Sequence, residues 1–313
     1  MATILITHGI PAAGLTLLEG HEILMPAPLT AYTMNELMTL IPRADAVIAC
    51  GKLPGEVIRA GETLRIIANY GAGYDGVDIA AAAQCGIPVT NIPDIVTDAT
   101  AELAIGLMLA VSRRIGEMNL RLRREEPARL FGMGRHMGCT LRGRTLGVIG
   151  CGRIGRRTAE MACALGMRVV AYSRHPVPCA HAEYVSLAQL LSASDVISLH
   201  CPLTDETRGM IGEDAFAAMK PGAMLINTAR GAIVDHTALA EALRSGRLSG
   251  AGLDVYPEEP CIPAELLAMD NVVCTPHVGT NVVQTRAAMV EACAQQILDV
   301  LAGKRPAHIV NGL

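Results

Sequence analysis

The feature that most constrains this chain is an apolar run at residues 145–149 that ends in Gly150-Cys151-Gly152-Arg153-Ile154-Gly155 and continues into a helix-like stretch at 156–165. A buried strand, a tight glycine turn and a helix N-terminus in direct succession form the phosphate-binding corner of a doubly wound α/β sheet. Gly150 makes the turn, Gly152 lets backbone approach a pyrophosphate, and Gly155 lets helix pack closely on strand. Such a corner needs further parallel strands beside it, and the sequence supplies them. Short β-branched and aliphatic runs occur at 3–7, 46–50, 65–69 and 88–91, then at 145–149, 168–172, 195–200, 224–227 and 252–255. Helix-like segments lie between them, at 12–18, 33–41, 54–60 and 79–84 in the first set. Continuous apolar strands separated by helices predict parallel sheets covered on both faces. Two sets in 313 residues mean two α/β domains.

The boundary between the sets falls near Asp98. Asp98 or Thr100 reads as an N-cap opening a long helix whose apolar face is Ala104, Leu107, Met108, Val111, Ile115 and Met118. A second long helix spans 287–301 and ends at Gly303, with Pro306 beyond. The charge cluster at 121–126 reads as a solvated helix face.

Composition removes several function classes. With 51% hydrophobic residues and a net charge of −4, the chain is not a disordered one. Aromatics are only 3%, Trp is absent and no long basic run occurs, which argues against nucleic acid as a partner. The longest nearly apolar run, 103–111, is about half a membrane span. The N-terminus has no basic segment and reads as a strand rather than a signal peptide. The 10 cysteines are scattered without a C-x-x-C pair, so neither a metal site nor a disulfide framework is expected. These readings describe a cytoplasmic protein with reduced thiols and no membrane contact.

The dinucleotide fingerprint normally places an acid about 20 residues beyond the glycines, at the end of the next strand, where it binds ribose hydroxyls. Here that strand ends in Tyr172-Ser173-Arg174-His175, with no carboxylate. A small hydroxyl followed by a guanidinium suits a 2′-phosphate, so NADP is the preferred cofactor and NAD a possible one. Three further segments end predicted strands: 226–231 with Arg230, 253–260 with Glu259, and 275–280 with His277. Ligands bind at that edge of doubly wound sheets. There an Arg can bind a substrate carboxylate and polarise its carbonyl, and a His can exchange a proton with the alcohol oxygen near neutral pH. A Glu can hold the imidazole and favour its charged form. Taken singly, each of the three could be structural; together, downstream of a dinucleotide motif, they read as a hydride-transfer constellation.

On these residues the chain resembles the D-isomer-specific 2-hydroxyacid dehydrogenase family, over nearly its whole length and most densely from 91 to 279. The resemblance implies catalytic roles for Arg230, Glu259 and His277. It implies cofactor contacts at Arg153, Ile154, Thr228, Ala229, Asp254, Gly279 and Thr280, with Cys201 and Pro202 beside the cofactor and Thr100 near the nicotinamide. Segment 69–75 matches the family's substrate loop, so the amides of Ala72 and Gly73 would join Arg230 and His277 in holding the substrate; two glycines there open backbone donors to an anion. The fold implied is a Rossmann-type cofactor domain, 98–283, inserted into a flavodoxin-like substrate domain of residues 1–97 and 284–313. The missing acid after the second strand resembles the NADPH-preferring glyoxylate/hydroxypyruvate reductase branch, and 96–102 resembles glyoxylate, hydroxypyruvate or 2-ketogluconate reductases. Relatives acting on phosphoglycerate tend to carry Arg where this chain has Asn69. The implied activity is NAD(P)H-dependent reduction of a small 2-oxo acid to the D-2-hydroxy acid, by a homodimer. Two alternatives share the fold: a dinucleotide-sensing corepressor, and a phosphite or formate dehydrogenase.

Overall fold

The computed structural model describes all residues from Met1 to Leu313. The chain divides into two compact units, Met1–Val96 with Thr280–Leu313, and Thr97–Gly279.

The first unit is built on strands β1 (Thr3–Ile6), β2 (Glu22–Leu24), β3 (Ala46–Ala49), β4 (Ile66–Asn69) and β5 (Val89–Thr90), in the order β2-β1-β3-β4-β5. All pairings are parallel, and this is the flavodoxin-like order. Strands β3 and β4 are buried at every residue, which is why β3 appears in the sequence as an unbroken apolar run and β4 is apolar up to its terminal Asn69. The helix Val283–Leu301 packs on β4 and buries Met289, Val290, Cys293, Ala294 and Ile297. Its Gln296 accepts from the Thr90 hydroxyl at 2.7 Å and donates to the Asn91 carbonyl at 3.0 Å.

The second unit contains β6 (Thr145–Ile149), β7 (Arg168–Tyr172), β8 (Glu183–Tyr184), β9 (Val196–Leu199), β10 (Ala223–Asn227), β11 (Leu248–Leu253) and β12 (Val272–Cys274). Their order is β12-β11-β10-β9-β6-β7-β8, again parallel throughout. The order reverses between β6 and β9, and the crevice beyond the carboxyl ends of strands at such a switch point is where ligands bind. Two buried clusters, one on each face, meet the need of a sheet that is apolar on both sides.

Several local expectations are corrected. Residues 12–18 form only a 3₁₀ turn, Leu15–Leu18, preceded by Gly14 at φ 90°. The first long helix spans Thr97–Ser112, so Asp98 and Thr100 lie within it rather than capping it. It does not run on through Ile115: the backbone turns left-handed at Arg114, φ 54°, and a new helix covers Ile115–Arg124. Ile115 is exposed, and the buried residue of that helix is Glu117, gripped by Arg114 at 2.6 and 2.7 Å and by Arg121 at 3.4 Å. Burying this carboxylate requires its two partners, and Arg114 reaches it from the break itself. The short edge strands β2, β8 and β12 carry too few residues to show a period. No helix is long and apolar enough to cross a membrane.

Candidate active site

The carboxyl end of β10 sets Arg230. Asn227 is fully buried; its side chain donates to the Arg230 carbonyl at 2.9 Å and accepts from the Ala229 amide at 3.0 Å, which closes the turn after the strand. The Arg230 guanidinium donates to the Ala229 carbonyl at 2.7 Å. Gly231 lies so close to the next strand's exit that an added Cβ would sit 2.0 Å from the Tyr256 carbonyl carbon. The Arg230 turn and the segment after β11 are thus held against each other by backbone, with no room for a side chain between them.

That second segment carries Glu259. Its Oε1 accepts from the Tyr256 amide at 3.0 Å, and its Oε2 lies 2.6 Å from His277 Nδ1. Burial alone would raise the Glu259 carboxyl. Hydrogen bonds from His277 and the Tyr256 amide, with the nearby charges of His277 and Arg230, outweigh burial and hold it below its ordinary 4.5. An ionised Glu259 accepts only, so His277 presents Nδ1–H to it and leaves Nε2 to exchange a proton.

His277 itself adopts φ 53°, a left-handed backbone that is uncommon outside glycine. Asp254 braces the loop around it. Its carbonyl accepts from the His277 amide at 2.9 Å, and its buried carboxylate accepts from Thr275 Oγ1 at 2.6 Å and from the Val278 and Gly279 amides at 2.8 Å each. Tyr256 adds hydroxyl bonds to the Leu253 and Thr275 carbonyls at 3.1 and 3.0 Å. Asp254, expected as a cofactor contact, is therefore first of all the anchor of the loop that carries His277. Thr100 is buried beside Gly279, whose Cβ position lies 3.6 Å from the Thr100 methyl carbon.

The glycine corner stands at the carboxyl end of β6. Gly150 has φ 92°, and a Cβ there would fall 2.4 Å from the Cys201 amide nitrogen. A Cβ on Gly155 would fall 2.2 Å from the Gly150 carbonyl oxygen, whereas one on Gly152 would meet nothing within 4 Å. The first and third glycines thus make contacts inside the fold, and the second borders open space. The helix Arg153–Ala164 begins at Gly152 without a side-chain cap, with Arg153 and Ile154 in its first turn. Such an N-terminus suits a pyrophosphate. The hydroxyl of Thr228, just past β10 and next to the nearly buried Ala229, is buried with no hydrogen-bond partner, as expected of a group that awaits a polar ligand. These residues fit a dinucleotide.

At the end of β7, Ser173 Oγ donates to the His175 carbonyl at 3.3 Å, and the Arg174 guanidinium is paired with Glu206. Burial pushes the Cys201 thiol up to about 11 despite the charge of Arg174 nearby, so it is a packed, protonated group beside exposed Pro202. The structure thus gathers Arg230, Glu259, His277, Asp254, Gly279 and Thr100 at one end of the sheet's carboxyl edge. The glycine corner, Ser173, Arg174 and Cys201 lie at the carboxyl ends of β6, β7 and β9. Ala72, Gly73 and Thr280 belong to the first unit. There Asn69 donates to the Gly71 and Gly73 carbonyls at 2.9 and 3.0 Å, and Asn91 donates to the Ala72 carbonyl at 2.8 Å. With the carbonyls so held, the Ala72 and Gly73 amides are left as donors. Sequence reasoning gave no holding role to the residues that brace the site: Asn69, Asn91, Asn227, Gly231 and Tyr256. A buried Asn at a strand's carboxyl end is the signal that marks three of them.

A dinucleotide corner at the switch point of this sheet, with an acid–base pair along the same edge, assigns the chain to the nicotinamide-dependent dehydrogenases. Comparison with known proteins narrows the class. The profile of D-isomer specific 2-hydroxyacid dehydrogenase, NAD binding domain, matches residues 105–279. The glyoxylate reductase of Thermococcus litoralis is 42% identical, over 98% of this chain and 96% of its own. The NADPH-dependent glyoxylate/hydroxypyruvate reductase of Sinorhizobium meliloti, solved with NADP and malonate, superposes with a TM-score of 0.88 at 33% identity, covering 99% of this chain and 96% of that one. A glyoxylate reductase from Paecilomyes thermophila gives a TM-score of 0.88 at 30% identity, covering 99% and 98%. The chain belongs to the D-isomer specific 2-hydroxyacid dehydrogenase family. It is an oxidoreductase that uses a nicotinamide cofactor to reduce 2-oxo acids.

Proposed function

We propose that the substrate is a small 2-oxo acid of the glyoxylate, hydroxypyruvate or 2-ketogluconate type, reduced to the D-2-hydroxy acid with NADPH as the preferred cofactor. The observation that carries the chemistry is the His277–Glu259 pair at 2.6 Å with Arg230 beside it. Reduced nicotinamide supplies a hydride when bound. Arg230 binds the substrate carboxylate and polarises the adjacent carbonyl, and His277 gives the proton from Nε2 to the carbonyl oxygen. Glu259 stabilises the imidazolium that precedes this transfer and keeps the ring in one orientation. In the first unit the Ala72 and Gly73 amides are the proposed carboxylate donors. In the second, Gly150, Gly152, Arg153, Ile154, Gly155, Cys201, Pro202, Thr228 and Ala229 are the proposed dinucleotide contacts, with Thr100, Asp254 and Gly279 toward the nicotinamide and Thr280 as a contact from the first unit.

The choice of substrate is supported by relatives over full length that are glyoxylate reductases, a likeness that does not favour a corepressor or a phosphite or formate dehydrogenase. NADPH is supported by Ser173-Arg174 in place of an acid at the end of β7. Initial rates for a panel of 2-oxo acids with each cofactor test both points. A higher kcat/KM with NADH overturns the cofactor assignment, and activity confined to bulky apolar acids overturns the substrate class. Arg174→Ala costs roughly 1.5–3 kcal/mol of NADPH binding, the scale of a charged hydrogen bond, and spares NADH.

A homodimer is also proposed. Ile115, Leu120 and Leu122 of one helix and Phe131, Met133 and Met137 beyond it are exposed, a concentration of apolar side chains that a second copy would cover. Light scattering on the purified protein is expected to give twice the chain mass; a monomeric mass rejects the proposal.

A further inference from the structure

The Arg174 guanidinium reaches across from the end of β7 to the loop that follows β9, where it pairs with the Glu206 carboxylate. That loop begins against the dinucleotide corner and is closed by its own hydrogen bonds. Thr207 is buried; its hydroxyl accepts from the Thr204 amide at 2.8 Å and donates to the Pro202 carbonyl at 2.7 Å. The Arg208 amide donates to the Thr204 carbonyl at 2.9 Å, which closes the turn around Glu206. At the start of the same loop, Cys201 lies directly against Gly150. Glu206 is therefore presented to Arg174 from a hydrogen-bonded turn, with its side chain 67% exposed and tied to no other group.

We propose that Glu206 is a selectivity-determining residue, a counter-ion that limits how strongly Arg174 favours a 2′-phosphate over a 2′-hydroxyl. The inference rests on the reading of Arg174 as the 2′-phosphate ligand. The Glu206 carboxylate meets Arg174 at Nη1, one of the terminal nitrogens with which a guanidinium grips a phosphate. A 2′-phosphate must therefore displace the Glu206 carboxylate or share the guanidinium with it. It also brings a second negative charge close to that of Glu206. A ribose hydroxyl is neutral and meets neither penalty. Glu206 thus acts on one cofactor and not on the other, which distinguishes it from a surface ion pair that only stabilises the fold.

The test uses Glu206→Gln, Arg174→Ala and the double variant in the full-length protein, with calorimetric titration of 2′,5′-ADP and of 5′-ADP, alongside kcat/KM for both cofactors. Gln keeps the shape and removes the charge. Glu206→Gln is expected to tighten 2′,5′-ADP about 3- to 10-fold, the reach of an exposed charge interaction, with 5′-ADP little changed. The ratio of kcat/KM for NADPH over NADH rises by the same factor. In the Arg174→Ala background the gain shrinks, because part of it passes through the guanidinium. An unchanged affinity for 2′,5′-ADP in Glu206→Gln, or an equal gain for 5′-ADP, overturns the role of Glu206 while leaving that of Arg174 intact. If Arg174→Ala binds 2′,5′-ADP as well as the unaltered protein, the 2′-phosphate reading fails and takes this inference with it.

Discussion

Replacing His277 by Ala lowers kcat about 10²- to 10⁴-fold, the usual contribution of a general acid, while NADPH still binds. Stopped turnover with retained cofactor fluorescence separates this outcome from simple misfolding, and a fully active variant removes His277 from the chemistry. Glu259→Gln gives a smaller loss, since the amide can still accept from Nδ1 but no longer offsets the imidazolium charge. The acid side of the pH profile follows from Glu259. Its folded carboxyl is held below the ordinary 4.5, so its support of the loop is complete above that value. That support is lost as the pH falls through the lowered value.

Arg230→Gln is expected to lower kcat/KM roughly 10²- to 10³-fold, because the same guanidinium binds the carboxylate and stabilises charge developing on the carbonyl oxygen. Arg230→Lys recovers only part of this, since an ammonium cannot make a planar two-pronged contact. Steady-state kinetics with glyoxylate at saturating NADPH measure both variants. A loss confined to KM would mean that Arg230 only binds substrate, and no loss would exclude it from the site.

The two sheets and the glycine corner were legible because their physical demands act over a few consecutive residues. A strand buried on both faces needs a run of apolar residues, as in β3 and in β4 and β10 up to their terminal Asn, and a backbone that nearly touches Cys201 needs glycine at position 150. Arg230, Glu259 and His277 were legible as chemical types at strand ends. The supports were not, because they act between segments far apart in the chain. Asp254 is the clearest example: its carboxylate serves Thr275, Val278 and Gly279, which no local pattern around Leu253-Asp254-Val255 announces. The pairing of Arg174 with Glu206 spans 32 positions, and neither residue's neighbourhood points to the other. The break at Arg114 was hidden for a related reason. The apolar period runs smoothly through it, and the grip of Arg114 on the buried Glu117 that accompanies the turn has no counterpart in that period.

The division of the chain also bears on the order in which it can fold during synthesis. The unit Thr97–Gly279 is one continuous stretch and can complete its sheet as soon as it has left the ribosome. The first unit begins earlier and must wait. Until the last segment emerges, β4 lacks the helix that covers it and Thr90 lacks Gln296. Val89 and Ile87 likewise lack Asn311, whose side chain accepts from the Val89 amide at 3.0 Å and donates to the Ile87 carbonyl at 2.8 Å. The half made first is thus finished last. Through that interval its apolar strands depend on the nascent chain's own tail for cover, and a truncation of a few dozen residues at the C-terminus strikes the beginning of the protein rather than its end.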